Sequence, residues 1–323
     1  MNIGKTELPF GLILAPMAGF SDRAMRVLCH RYGAEYTVTE MVSAKAVTFG
    51  DKKTAKLAAI CCDEGPVALQ LFGSDPDTIA RATEQMSGGV LYSTPPVAID
   101  INMGCPVNKI FSNGEGSALM RDPELIYRIV KAVVGVTNLP VTVKMRLGVD
   151  RQHINVIECA QAAESGGACA IAVHGRTRVE LYSGKADRSA IANVKKNLHI
   201  PLIANGDITS AEEALDMLRI TSADGLMIGR GAIGNPFIFS EIKAVLKGES
   251  YTPPSLEERV ECALEELRIA VEDKGERVAV HEARGRIAMY IRSFRGAAQI
   301  RAEVNRANTY GEVEEALSIA IRD

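Results

Sequence analysis

Short runs of apolar and β-branched residues recur along the first two-thirds of the chain, and each is followed by a stretch with helical spacing. The runs near Ile13–Ala15, Tyr36–Thr39, Val67–Leu71, Ile99–Asn102, Val141–Lys144, Ile171–His174, Leu202–Ala204 and Leu226–Ile228 are short and rich in β-branched and apolar residues. That is how strands covered on both faces read. Between them, segments such as Asp75–Met86, Pro123–Val134, Asn155–Ser165 and Ala211–Arg219 carry amphipathic helical patterns. Eight strand–helix units within roughly 230 residues predict an α/β fold, a closed (β/α)8 TIM barrel. No GxGxxG follows the first strand, which argues against an open dinucleotide-binding sheet.

The pattern changes near residues 248–255, where GESYTPPS reads as a linker. Beyond it only helical periodicity remains, so the expected organisation is a barrel over 1–247 and an all-helical C-terminal domain over 255–323. Residues 257–276 are acidic, whereas 284–306 hold Arg284, Arg286, Arg292, Arg295, Arg301 and Arg306 against Glu303 alone. Taken by itself, that run reads as a solvated helix face.

Composition narrows the classes. The chain has 323 residues, 47% hydrophobic and 24% charged, enough for a full core and an ordinary soluble surface. A net charge of −3 argues against bulk attraction to nucleic acid but leaves room for a local basic face. No apolar run approaches the ~18 residues of a membrane span. The N-terminal MNIGKTELPF lacks the apolar stretch of a secretory signal, and seven cysteines without paired spacing suit a reducing compartment. A cytoplasmic protein is expected. The five histidines form no HExxH-like cluster, and adjacent Cys61 and Cys62 lack zinc-ligand spacing, so no metal is expected.

In such a barrel, chemistry gathers at the C-terminal ends of the strands. Those ends carry Pro16-Met17-Ala18, Glu40, Gln70, Asn102 to Cys105, Lys144-Met145-Arg146, His174-Gly175-Arg176, Asn205-Gly206-Asp207 and Gly229-Arg230-Gly231. The last two suit a phosphate, with glycines for close backbone approach and Arg230 as the cation. Lys144 admits three readings: an ordinary ion pair, a Schiff-base lysine, or a cation beside a ring that becomes anionic on reduction. Gln70 and His174 could hydrogen-bond the same ring edge, with Pro16-Met17-Ala18 along one face. Cys105 stands between Gly104 and Pro106, and a thiol with a reference pKa of ~8.5 is mostly protonated at neutral pH. It reads as a proton donor, since no base to activate a thiolate is evident. The turn-rich segment 108–123 is expected to be mobile and to close over a substrate.

Together these pieces resemble the tRNA-dihydrouridine synthases, most closely their bacterial B-type branch. The resemblance rests on LAPMAGFSD (14–22), ALQLFG (68–73), DINMGCP (100–106), GSALMRDP (116–123), VTVKMRLG (141–148), VHGRTR (173–178), IANGDI (203–208) and IGRGAIGNPF (228–237). It implies a flavoenzyme reducing particular uridines of tRNA to 5,6-dihydrouridine, with NADPH or NADH as reductant. It implies FMN bound by Pro16, Met17, Ala18, Gln70, Lys144, His174, Asn205, Gly206, Asp207, Gly229 and Arg230, and Cys105 as the proton donor. Asn102 would face the target base. The C-terminal helices would bind tRNA through Arg284, Arg286, Arg292 and Arg295, with Arg176 and Arg178 nearer the uridine. The chemistry is consistent: hydride at uracil carbon 6 sends charge to the carbonyl at carbon 4, so carbon 5 needs an acid on the other face. The base must leave its stack to reach the ring. A monomer is expected.

Two features depart from the family pattern: residues 87–97 look long for the link before the fourth strand, and Val149 replaces a common aromatic. Other readings stay open: an FMN-dependent TIM-barrel reductase of a free pyrimidine or enone, a Schiff-base lyase using Lys144, or a non-catalytic tRNA-binding protein.

Overall fold

The computed structural model describes residues 1–89, 94–292 and 296–322. The long 87–97 link falls partly outside them. Eight parallel strands form the barrel: β1 Leu12–Leu14, β2 Tyr36–Val38, β3 Val67–Phe72, β4 Ala98–Met103, β5 Val141–Met145, β6 Ala170–His174, β7 Leu202–Asn205 and β8 Gly225–Ile228. Each pairs with the next, and β8 returns to β1 through Leu226 opposite Leu12, so the sheet closes. Helices on the outside begin on side-chain caps, with Asp22, Asp75, Asp122, Asp187 and Ser210 each accepting from an amide three residues on. Pro76 and Pro123 follow two of those caps, where a missing N–H costs nothing.

Two apolar layers result. Strand residues such as Leu12, Leu71, Ile99 and Val143 pack outward on the helices. Ile13, Tyr36, Ala68, Ala98, Ala172, Ile203 and Met227 fill the barrel itself, where Ile3 and Leu8 join them. Ile3 belongs to an N-terminal hairpin, Asn2–Ile3 against Thr6–Glu7, that the sequence pattern did not suggest. Its strands are only two residues long, too short to show a period.

After 248–255 come four helices, Leu256–Lys274, Glu276–Tyr290, Ala297–Arg306 and Tyr310–Arg322. The first starts on a Ser255/Glu258 capping box. Their apolar core takes in Ala24, Val27 and Leu28 of the helix after β1 (Arg23–Arg31), and Phe237. The barrel and the C-terminal helices therefore share one buried face. Among the described residues, no helix is long and apolar enough to cross a membrane.

Candidate functional site

At the barrel mouth a polar chain runs from the interior to Cys105. Asp100 of β4 is buried and accepts from Gln70 Nε2 at 2.7 Å and Thr142 Oγ1 at 2.5 Å. Gln70 Oε1 accepts from Asn102 Nδ2 at 2.9 Å, and Asn102 Oδ1 accepts from the amides of Cys105 at 2.9 Å and Gly104 at 3.2 Å. Asp100 and Asn102 share a strand face by the two-residue period. Burial pushes the Asp100 carboxyl up, against the pull of its bonds with Gln70 and Thr142. Gln70 is fully buried and Asn102 nearly so. Their amide oxygens are engaged in shaping the Cys105 turn, and each amide nitrogen spends one N–H on the chain.

The segment after Cys105 is not the loose lid expected from its turn residues. It folds as a short helix, Asn108–Ser112, and a 3-10 turn, Gly116–Arg121, in which Ala118, Leu119 and Met120 are buried. Ser117 donates to the Cys105 carbonyl from its amide at 3.1 Å and its hydroxyl at 2.8 Å. Asn155 Nδ2 holds the Met120 carbonyl at 2.6 Å. Burial of apolar side chains overrides the loop-like composition. The half-buried Cys105 thiol is pushed up by burial, against the pull of the Val107 amide and the cations Arg146 and Lys144. It is held as a protonated thiol.

Four cations surround His174 at the end of β6. Lys144 is the penultimate residue of β5, Arg146 follows it two residues on, and Arg176 and Arg230 follow β6 and β8. Among the described residues Lys144 has no ion pair, and burial followed by the Arg146 charge lowers its pKa to about 8. Arg146 is buried and donates to the carbonyls of Gly104 at 3.0 Å, and of Thr177 and Leu181 at 2.9 Å. Burial first, and then these cations, hold His174 far below its ordinary value, so the imidazole is neutral. Arg176 Nη1 lies 3.2 Å from His174 Nε2, which assigns the acceptor role to that nitrogen. Burial would raise Asp207, yet bonds from Arg176 Nη2 at 2.7 Å and the Ala186 amide at 2.8 Å bring its carboxyl below the usual range.

This is a mouth with surplus positive charge, balanced locally by Asp207 and the buried Asp100. Arg230, 50% exposed, reaches Asp207 Oδ1 at 3.2 Å and lies over the Tyr182 ring at 4.5 Å. Gly206 has φ +127°, and a Cβ there would stand 2.6 Å from Ala186 Cβ, so only glycine brings this backbone into the mouth. The first amides of the turn Arg230–Ala232 have no intrahelical partner. Asn205 Nδ2 ties β7 to the Met227 carbonyl at 2.7 Å, and Met17, next to Pro16 and Ala18, faces Gly229. Backbone donors, a guanidinium and an unpaired lysine suit a phosphate joined to an electron-accepting ring, so these residues fit a flavin mononucleotide.

The arginines divide differently from the expectation. Arg286 is not on a tRNA-facing surface: it is 3% exposed, with Nη1 on Asp22 Oδ2 at 2.9 Å and the Phe20 carbonyl at 3.2 Å, and Nε 3.3 Å from Glu266. Its position on Glu276–Tyr290 faces the barrel, which the bare count of arginines hides. Arg176 is likewise buried, spent on Asp207 and the carbonyls of Ser183 at 2.9 Å and Gly184 at 2.8 Å, and is withdrawn from uridine contact. Arg178 binds Asn108 Oδ1 at 2.6 Å and stacks over Phe111 at 3.7 Å, bracing the Cys105 segment. Arg284 donates to the Ala307 carbonyl at 2.7 Å, Arg292 is exposed, and Arg295 lies outside the described residues. The sequence reading put Arg146 at a strand end without a role, and missed Asp100 and Tyr182. Two-residue spacing from Asn102 would have found Asp100, and nothing in the pattern marks Tyr182.

A closed parallel barrel with a cation-lined mouth facing a protonated thiol defines a TIM-barrel enzyme, and the comparisons narrow the class. The family model for dihydrouridine synthase (Dus) matches residues 13–323. A probable tRNA-dihydrouridine synthase of Rickettsia conorii is 40% identical over 320 residues, covering 98% of this chain and 95% of that protein. The tRNA-dihydrouridine synthases B of Xanthomonas axonopodis pv. citri and Pseudomonas aeruginosa are 41% and 40% identical, covering 96% and 95% of this chain and 92% and 91% of theirs. Histamine dehydrogenase from Rhizobium sp. 4-9 shares the fold, with TM-score 0.57 at 13% identity over 83% of this chain and 50% of that one. The chain belongs to the dihydrouridine synthase family. It is an enzyme of that family, similar along nearly its whole length to the B-type synthases.

Proposed function

We propose that this enzyme reduces particular uridines of tRNA to 5,6-dihydrouridine, using FMN and a nicotinamide reductant, NADPH or NADH. The observation that carries the reading is the protonated Cys105 thiol held on the same rim as the unpaired Lys144 and the glycine-lined Arg230 turn. Gly206, Asp207, Gly229 and Arg230 would take the FMN phosphate, Lys144 and His174 the ring edge, and Pro16, Met17 and Ala18 one ring face. When bound, FMN supplies hydride at carbon 6 of the uracil. Cys105 Sγ gives its proton to carbon 5 and leaves as a thiolate that Lys144 and Arg146 stabilise. Gln70 and Asn102 hold the turn that aims the thiol. Neutral His174 keeps an acceptor toward Arg176 and adds no further charge to the mouth. Exposed Arg292 and the C-terminal helices would meet tRNA phosphates.

The test is direct. Purified protein should be yellow, release FMN on denaturation, and convert uridine to dihydrouridine in an unmodified tRNA transcript when NADPH or NADH is added, read by mass spectrometry. A colourless protein that cannot be reconstituted with FMN would sink the reading. Equal reduction of free uridine and tRNA would instead point to a small-molecule reductase.

A further inference from the structure

The strand β2 does not lead straight into β3. A short strand, Val42–Ser43, runs beside Leu71–Phe72 at the C-terminal end of β3, and two helices follow it, Ala44–Thr48 and Lys52–Ala58. The insertion therefore rises from the same rim as Cys105, and Met41 at its root lies 3.9 Å, sulfur to amide, from Asn102. Its sequence, AKAVTFGDKKTAKL over 44–57, has four lysines and one acid. Lys45, Lys52, Lys53 and Lys56 are all exposed, and none is within ion-pair distance of a carboxylate among the described residues. The one acid, Asp51, is occupied in capping a helix through Thr54 N at 2.7 Å. Between the lysines stands Phe49, 78% exposed, turned outward where Gly50 (φ +70°) redirects the chain.

We propose that this insertion is a second RNA-contacting surface, its lysines on tRNA phosphates and Phe49 under an unstacked base. The proposal rests on the tRNA reading above and says where on the barrel the RNA is gripped. Free lysines at a rim form an electrostatic footprint. An aromatic left in water among like charges suits the π-face of a base rather than the apolar face of a protein. The C-terminal arginines also leave work undone, since Arg286 is buried, Arg284 holds the Ala307 carbonyl and Arg306 pairs with Glu303. Exposed Arg292 then leaves room on the rim for further cations to meet phosphate.

The experiment measures tRNA-transcript binding to the FMN-loaded full chain across ~50 to ~200 mM salt, a range that resolves counterion release. Lys52→Gln, Lys53→Gln and Lys56→Gln combined should flatten the log–log salt dependence by about two to three units, at roughly 0.9 per lost phosphate contact, with bound FMN unchanged. Lys5→Gln, Lys196→Gln and Lys243→Gln, the same charge change at the opposite end of the barrel, should leave the slope nearly unaltered. Phe49→Ala should weaken binding about tenfold without touching the slope, and Phe49→Trp should restore it. A wild-type slope in the first triple variant, or an equal loss in the second, would overturn the surface. Failure of the wild-type chain to bind tRNA at all would overturn the tRNA reading instead.

Discussion

Cys105 owes its character to burial, which keeps the thiol protonated where an exposed cysteine would begin to ionise. Cys105→Ala should therefore lower turnover by roughly 10²–10⁴-fold while FMN stays bound, measured as dihydrouridine formed per flavin. An unchanged rate would remove Cys105 from the proton step. The same thiol should alkylate slowly with iodoacetamide at neutral pH and faster as pH rises, because the thiolate is the reacting form. Lys144 behaves in the opposite sense. With its pKa lowered to about 8, it is charged at neutral pH and loses the proton as pH rises through that value. FMN affinity should accordingly weaken between about pH 7 and 9, since an anionic ligand favours the protonated lysine. Titration of FMN fluorescence across that range measures it, and Lys144→Met should abolish the dependence.

Among the elements, the barrel strands were legible because burial on both faces leaves short runs rich in apolar residues, as in Val67–Phe72 and Ala98–Met103, broken only by the polar groups Gln70, Asp100 and Asn102. The Cys105 turn was legible because Gly104-Cys105-Pro106 follows one of them. The segment after that turn was not. Composition over 108–123 suggested mobility, whereas Leu119 and Met120 anchor the segment to the core through contacts distant in sequence. Gly116 tests that anchoring. It has φ +60°, and an added Cβ would meet Cys105 Cβ and the Cys105 carbonyl at 3.0 Å. Gly116→Ala should displace the thiol, lowering kcat with little change in FMN affinity, and a variant with normal kcat would show that the turn tolerates strain. Arg286 was misplaced for a related reason. A run of arginines displays its charge in sequence but not which helix face each occupies, and the carboxylates that take Arg286 are 264 residues away at Asp22 and on the neighbouring helix at Glu266.

The core of the C-terminal helices is not closed by those helices alone. Ala24, Val27, Leu28 and Phe237 pack among residues of the last four helices. A chain ending near residue 247 should expose that apolar face and aggregate, and the full chain should unfold in one cooperative transition by calorimetry. Two well-separated transitions would contradict a shared core. Arg286→Ala, by leaving buried Glu266 without its ion-pair partner and Asp22 with Lys274 alone, should cost about 3–5 kcal/mol in denaturant unfolding. It should leave the salt dependence of tRNA binding unaltered, unlike Arg292→Ala. Asp22 is where these threads join. Its carboxylate caps the helix that follows the Pro16–Ala18 loop, and also receives Lys274 at 2.7 Å and Arg286 at 2.9 Å from the C-terminal helices. Chimeras assembled from two related enzymes would therefore function only when the cut leaves Asp22 and both of its cationic partners to a single parent, so the C-terminal helices cannot be exchanged as an independent cassette.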